Sequence, residues 1–289
     1  KDKNDPSRGY QGFQPEGVSN PLEIFKLVES MSYNTQIFGN AALTFHLLKG
    51  LDLKTQVGVD YHNGRSQGYT PFKPHQIIDM SANGSASASN SSSLYWQEET
   101  YLTYIKDFDK HHLNAMAGAS WQARKYTYFG ASDSKFMDDY YGFYNLGAGT
   151  EKPSVGSDYD KWAMNSYFLR LAYNYNNTYM ATVTGRYDGS SKFGENNKYA
   201  FFPSVGLGWL ASNEKFLENN KTISKLKLHT SFGMTGNSEI GTYRSIATMS
   251  QGTTILNGSM VTVSYLDKMP NANLKWEKTA QFDLGFELG

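Results

Sequence analysis

Residue character alternates with a period of two along most of this chain, and nothing else in the sequence limits its fold as strongly. Tyr179, Ala181 and Val183 share one side of a stretch whose other side carries Thr182, Thr184 and Arg186. Further on, Phe201, Pro203, Val205, Leu207 and Trp209 oppose Ser204, Gly206 and Gly208. Successive side chains of a strand point to opposite faces, so both stretches read as β-strands. The same test gives about nine strands. They lie at roughly 35–48, 51–63, 94–106, 112–128 and 162–175, on either side of 188–199, and at 225–236 and 274–288. The third has mixed faces, because Glu98 and Glu99 fall on both.

The connections carry a second pattern. Short links (Lys49-Gly50, 107–110 and 174–178) alternate with long ones at about 64–93, 130–161, 188–199 and 237–273. The 211–224 link is of medium length, and Ser212 can cap a turn of helix there. Up-and-down strands give this alternation when the two ends of the sheet meet different surroundings, as in outer-membrane barrels. A soluble β-sandwich also has one apolar and one polar face. Three features favour the barrel. The strands run to about 11–16 residues, whereas soluble strands cluster near 5–6 and a membrane crossing needs about 9–11. Aromatics gather near strand ends (Tyr61, Trp121, Tyr126, Tyr128, Tyr179, Trp209 and Trp276), as in interfacial girdles. Charged residues lie well inside the polar faces, which suits a wet lumen. Nine is an odd count where bacterial barrels have even ones, and an open edge in hydrocarbon costs several kcal/mol per unpaired group. The sheet is therefore expected to continue on at least one side.

Composition narrows the function. The 289 residues carry 27 basic and 27 acidic side chains, so no basic footprint points to nucleic acid. Cysteine is absent, which removes disulfides, thiolate metal sites and a cysteine nucleophile. No apolar run reaches the ~18 residues of a transmembrane helix. A mean hydropathy of −0.56 is compatible with a barrel, whose polar lumen residues alternate with lipid-facing ones. The chain opens at Lys1-Asp2-Lys3 without a signal peptide or initiator Met, as expected of a piece of a longer protein.

One block is specific enough to place in a family. Arg186-Tyr187-Asp188-Gly189-Ser190-Ser191-Lys192-Phe193-Gly194, then Asn197-Lys198-Tyr199, Phe202-Pro203-Ser204-Val205 and Gly208-Trp209, resembles the SusC/RagA family of TonB-linked outer-membrane receptors. The likeness extends through Ser231-Phe232-Gly233-Met234-Thr235-Gly236-Asn237 and Asn273-Leu274-Lys275-Trp276-Glu277-Lys278-Thr279, and covers about residue 20 to the end. It implies an all-β, antiparallel transmembrane barrel of 22 strands, with residues 1–289 supplying part of the barrel and neither the plug domain nor the C-terminal strands. It implies import of oligosaccharides or peptides across the outer membrane of a Gram-negative bacterium of Bacteroidetes type. A SusD-like surface lipoprotein and the TonB complex, the latter acting through N-terminal parts, would be the partners, with outer-membrane lipid around the barrel. The implied motif residues here are Arg186, Asp188, Gly189, Ser190, Ser191, Phe193, Pro203, Trp209, Gly236, Asn237, Trp276 and Glu277. The alternative is a soluble β-rich domain that binds carbohydrate or protein.

Catalytic and metal chemistry find little support. Gly189-Ser190-Ser191-Lys192 lacks the full phosphate-loop pattern and leads into a strand. Asp188 has no glutamate where a calcium loop needs one. His111-His112 lacks helical metal-ligand spacing and reads as a solvated turn. His229 shares a face with Lys227 and is expected to look into the lumen. Asp138-Asp139 and Asp158-Asp160 fall in a long loop, where acids are common. No enzyme, cofactor or metal is expected. The 130–161 loop is the best binding candidate: Phe136, Asp138, Asp139, Tyr140, Tyr141, Phe143 and Tyr144 set five aromatics among acids. Flat rings suit sugars or a partner protein, or else pack the loop onto its neighbours. The serine-rich 85–93 run is expected to be a mobile stretch of loop.

Overall fold

The computed structural model describes residues 25–71, 84–217 and 222–289, and contains eleven strands among them. The chain's first residues, 72–83 of the long 64–93 link and 218–221 of the 211–224 link lie outside the described residues. The strands are β1 (Glu29–Leu48), β2 (Leu51–Thr70), β3 (Ser85–Phe108), β4 (His111–Ser134), β5 (Ser154–Tyr175), β6 (Tyr179–Ser190), β7 (Tyr199–Leu210), β8 (Leu226–Asn237), β9 (Thr248–Leu256), β10 (Ser259–Lys268) and β11 (Glu277–Leu288). Nine form one open sheet in the order β1-β2-β3-β4-β5-β6-β7-β8-β11, while β9 and β10 pair only with each other.

The nine sheet strands are those the two-residue period locates, and most run further than it shows. β1 to β5 span 20 to 24 residues. The serine-rich 85–93 run is the first part of β3 and not mobile loop, because its backbone groups are paired. Asn63 on β2 also donates to the Ser91 carbonyl at 3.2 Å. Small polar residues satisfy a ladder without writing an apolar period. For the same reason the 130–161 loop shrinks to 135–153, and Asp158 and Asp160 sit on β5. The 188–199 loop shrinks to 191–198, and a single 3-10 turn at Ala211–Asn213 stands in the medium link. The 237–273 link contains the β9–β10 hairpin, which the sequence reading takes as loop.

The described residues divide into two compact units. One takes the described parts of Lys1–Phe38, Asp60–Leu94 and Lys125–Asp160; the other takes Gly39–Val59, Tyr95–Arg124 and the described parts of Lys161–Gly289. The first is centred on Tyr69, Ala86, Phe136 and Phe143, with Met31 and Leu146 packed against them. The second is centred on Phe193, Ala200, Phe202 and Trp276, supported by Met164, Ile240 and Leu274.

Register in the second unit separates two faces. Leu171, Val183, Val205, Phe232 and Phe282 form one continuous row across β5, β6, β7, β8 and β11. This apolar face is open: Val183 is 52% exposed, Leu207 54%, Leu169 60% and Phe282 67%. A sandwich would cover such a face with a second sheet, and none lies over it among the described residues. The adjacent row is Arg170, Thr184, Ser204, Gly233 and Gln281, on the polar face. Thr184 bonds Ser204 there, and Gln281 donates to Asp283 at 3.1 Å. Tyr175, Tyr179 and Trp209 lie in register with Leu228 and Phe286 at one end of the apolar face. Tyr187 and Tyr199 stack at 5.1 Å towards the other.

Candidate functional site

The motif residues converge where β6 and β7 meet the 191–198 loop. Asp188, 7% exposed, accepts from the Arg186 Nε at 2.7 and 3.0 Å, and Arg186 Nη2 donates to the fully buried Ser166 Oγ at 2.9 Å. The pairing of Ser166 with Asp188 across β5 and β6 fixes this geometry. The Arg186 guanidinium also lies 5.8 Å from the Phe168 ring, so its positive charge has a carboxylate, a hydroxyl and a π-face as partners.

The loop is stitched down residue by residue. Ala163 N donates to Ser191 Oγ at 3.0 Å, and Ser191 N donates to the Ala163 carbonyl at 2.9 Å. Ser190 is buried, and its N–H bonds the Lys198 carbonyl at 3.0 Å. Lys192 Nζ reaches the Ser238 carbonyl at 3.3 Å and stands 5.2 Å from the Trp162 ring. Phe193 packs against Trp276 at 4.7 Å, and Phe202 meets Trp276 edge-on at 5.4 Å. Trp276 Nε1 donates to the Lys198 carbonyl at 2.9 Å. Gly194 N bonds the Leu274 carbonyl, and a Cβ at 194 would lie 2.2 Å from the Ala272 carbonyl oxygen, so only glycine lets the two loop segments touch.

The remaining motif residues have separate tasks. Phe202 lies across Gly236, where a Cβ would stand 2.2 Å from its ring. Asn237 pairs in register with Glu277 and donates to its carboxylate at 3.0 Å. Pro203, which has no N–H, sits just beyond the β7–β8 ladder that begins at Ser204. Gly189 lies under the Tyr199 ring. Trp209 stands apart at the other end of β7 and donates to Glu214 at 3.3 Å. Trp276 is not a girdle residue: it is 6% exposed and precedes β11, held inside by its N–H bond and two ring neighbours. Lys192 and Trp162 belong to the cluster too; their proximity depends on the fold and leaves no mark in sequence spacing.

The 136–144 segment divides its residues. Phe136 (3% exposed) and Phe143 (4%) are core, and Phe136 meets Tyr69 edge-on at 6.1 Å. Asp139 accepts from the Tyr69 hydroxyl at 2.5 Å, and Asp138 accepts from Tyr140 N at 3.0 Å. Tyr140, Tyr141 and Tyr144 are exposed, as is Met137. Packing therefore accounts for two of the five aromatics and leaves three tyrosines open. His111 is less solvated than its turn position implies, while His112 is exposed. His111 begins β4, stacks on Phe108 at 4.8 Å and contacts the Tyr173 hydroxyl at 2.5 Å, while His112 bonds Asp107 at 2.5 Å. No metal-binding group of three or more such side chains forms among the described residues.

A family model described as TonB dependent receptor-like, beta-barrel, matches residues 3–289. Among curated proteins, TonB-dependent receptor P3 of Formosa agariphila is 33% identical over 86% of this chain and 25% of its own length. TonB-dependent receptor SusC of Bacteroides thetaiotaomicron is 28% identical over 95% of this chain and 27% of its own. Among solved structures, the RagAB peptide transporter aligns with a TM-score of 0.82 at 28% identity, over 91% of this chain and 29% of that one. The chain thus spans about a quarter of the length of the curated relatives it matches.

Proposed function

This chain belongs to the TonB-dependent receptor family, within its β-barrel, and on that basis we propose that it forms part of an outer-membrane importer of oligosaccharides or peptides. The observation that carries the reading is the open apolar row Leu171–Val183–Val205–Phe232–Phe282 beside a polar row in one antiparallel sheet. The apolar row faces lipid and the polar row faces the lumen. Tyr179 and Tyr187 bracket the apolar band. Eight residues of strand cover roughly 27 Å, or about 20 Å along the membrane normal at a tilt near 40°, close to the band height of such barrels.

Transport needs no covalent step, and the residues act by shape and charge. The stitched 191–198 loop and the long 135–153 loop belong to the end of the sheet that carries the long connections, which is the extracellular end in this reading. Tyr140, Tyr141 and Tyr144 are the contact surface for cargo or for a SusD-like lipoprotein over the mouth, and the likeness to a peptide transporter supports peptide as one cargo class. TonB acts on other parts of the whole receptor. The test is an immunoblot of the source organism's outer-membrane fraction, with and without boiling, joined to uptake of labelled oligosaccharide and peptide by cells lacking the gene. A heat-shifted band several times larger than this chain and loss of one uptake are expected. A small, unshifted band in the soluble fraction overturns the reading.

A further inference from the structure

A groove of about 380 Å3 lies wholly within the second unit, where β3, β4 and β5 run beside the loop ends of β6 and β7. Register assigns its face. Asn165, Gly189 and Tyr199 stand side by side on β5, β6 and β7, each six residues along its strand from Leu171, Val183 and Val205, so they share the open apolar face. Trp162, an even step from Arg170, takes the polar face. Tyr95 lies 6.2 Å from the Trp162 ring and donates to Gln122 at 2.6 Å, which turns Trp96 and Trp121 to the apolar face.

Aromatic rings wall the groove and small residues floor it. Trp96 and Trp121, each 38% exposed, form one side. Tyr199 forms the other. Its ring lies over Gly189 and stacks on Tyr187 at 5.1 Å, and its hydroxyl donates to Asn165 Oδ1 at 3.2 Å. The strand order puts Ala163 and Gly189 between the tryptophans and Tyr199, and Ala123 lines the groove beside Trp121. Lys198 is the one charged residue of the lining and is exposed. Its backbone is fixed, because Ser190 N and Trp276 Nε1 both donate to its carbonyl.

Interfacial aromatics need no recess between them. Here small side chains leave one, beyond Tyr187 at the outer edge of the apolar band, where acyl chains meet headgroups. An apolar slot with a single cation at its rim complements a hydrocarbon chain that ends in an anion. We infer that the groove holds an acyl chain of a phosphorylated glycolipid of the outer leaflet, with the lipid phosphate on Lys198 Nζ. The inference rests on the import reading, in which this face is the outside of the barrel and the loop end is extracellular, and the two fail separately.

The experiment is native mass spectrometry of the full-length receptor, purified from outer membranes and washed in detergent. It is then supplied with lipid A (an acylated, phosphorylated disaccharide), with dephosphorylated lipid A, or with phosphatidylethanolamine. The parent keeps one lipid A through washing or regains it on addition, and binds phosphatidylethanolamine more weakly. The dephosphorylated form binds about fivefold more weakly, the effect of one lysine at an anionic membrane surface. Lys198→Gln removes that difference. Ala123→Phe fills the groove and abolishes binding of both forms, whereas Val183→Phe, on the same face outside the groove, leaves binding unchanged. Heat-modifiable migration shows that the variants fold. If Ala123→Phe does not, Trp121→Ala carries the test by removing one wall and weakening binding about tenfold. The site is overturned if no lipid A is kept or regained, if the parent binds both forms equally, if the folded groove variants bind as the parent does, or if phosphatidylethanolamine binds more tightly. If the receptor is heat-modifiable and uptake is intact in those cases, the import reading stands without it.

Discussion

Trp276 is held in two independent ways, by its rings against Phe193 and Phe202 and by its N–H on the Lys198 carbonyl. Trp276→Ala in the full-length receptor is expected to cost about 3–5 kcal/mol, read as a lower temperature for loss of heat-modifiable migration. Trp276→Phe keeps much of the packing and gives up the bond, and about 1 kcal/mol should separate it from the parent. Gly236→Ala brings a methyl into the Phe202 ring and should cost about 1–3 kcal/mol by the same measurement. At this scale the sequence named many of the right residues and few of their tasks. Arg186, Asp188 and Trp276 stand in a recognisable motif, but a two-residue period reports only which face a side chain takes. It cannot report that Lys198 and Trp276, or Lys192 and Ser238, meet at the strand ends. The 136–144 segment shows the same limit: Phe136 and Phe143 are core while Tyr140 and Tyr144 are open, and no local pattern separates them.

Strands β6 to β8 and β11 were legible because large apolar residues alternate with small or polar ones in each. The early parts of β3 and β5 were not, since serines and aspartates satisfy a ladder without marking a face. The β9–β10 hairpin carries apolar residues on both faces, Met249 and Ile255 on one and Val263 and Tyr265 on the other, and so writes no clean alternation. Two expectations belong to this scale. Val205→Lys places a charge on the open apolar row and should destabilise the receptor by about 2–4 kcal/mol near the bilayer midplane, while Ser204→Lys, one residue away on the polar face, should cost much less. Paired denaturant titrations in lipid vesicles check the difference, and equal losses would contradict the assignment of faces. An epitope inserted between Asn257 and Gly258, at the left-handed tip of the hairpin, should be stained on intact cells. Staining that appears only after permeabilisation would place this end of the sheet on the periplasmic side.

Among the described residues, β1 pairs only with β2 and β11 only with β8, so the nine-stranded sheet has two open edges. In hydrocarbon every unpaired backbone group costs several kcal/mol, and further strands must complete the ladder. Residues 1–289 expressed alone and refolded in detergent should therefore show no heat-modifiable band, whereas the full receptor should. The barrel class was readable from strand length and from alternating connections; closure was not, because a two-residue period reports faces and not what pairs with an edge strand. One feature of the long excursion between β8 and β11 bears on how such a receptor can be altered. Its feet are tied by Lys192 to Ser238, Asn271 to Ser245, and Gly194 to Leu274, all inboard of the hairpin. What lies beyond those ties is a cassette: residues 246–269 can be exchanged for those of a relative as one piece, with both splice points clamped to the scaffold and the membrane-spanning strands left as they were.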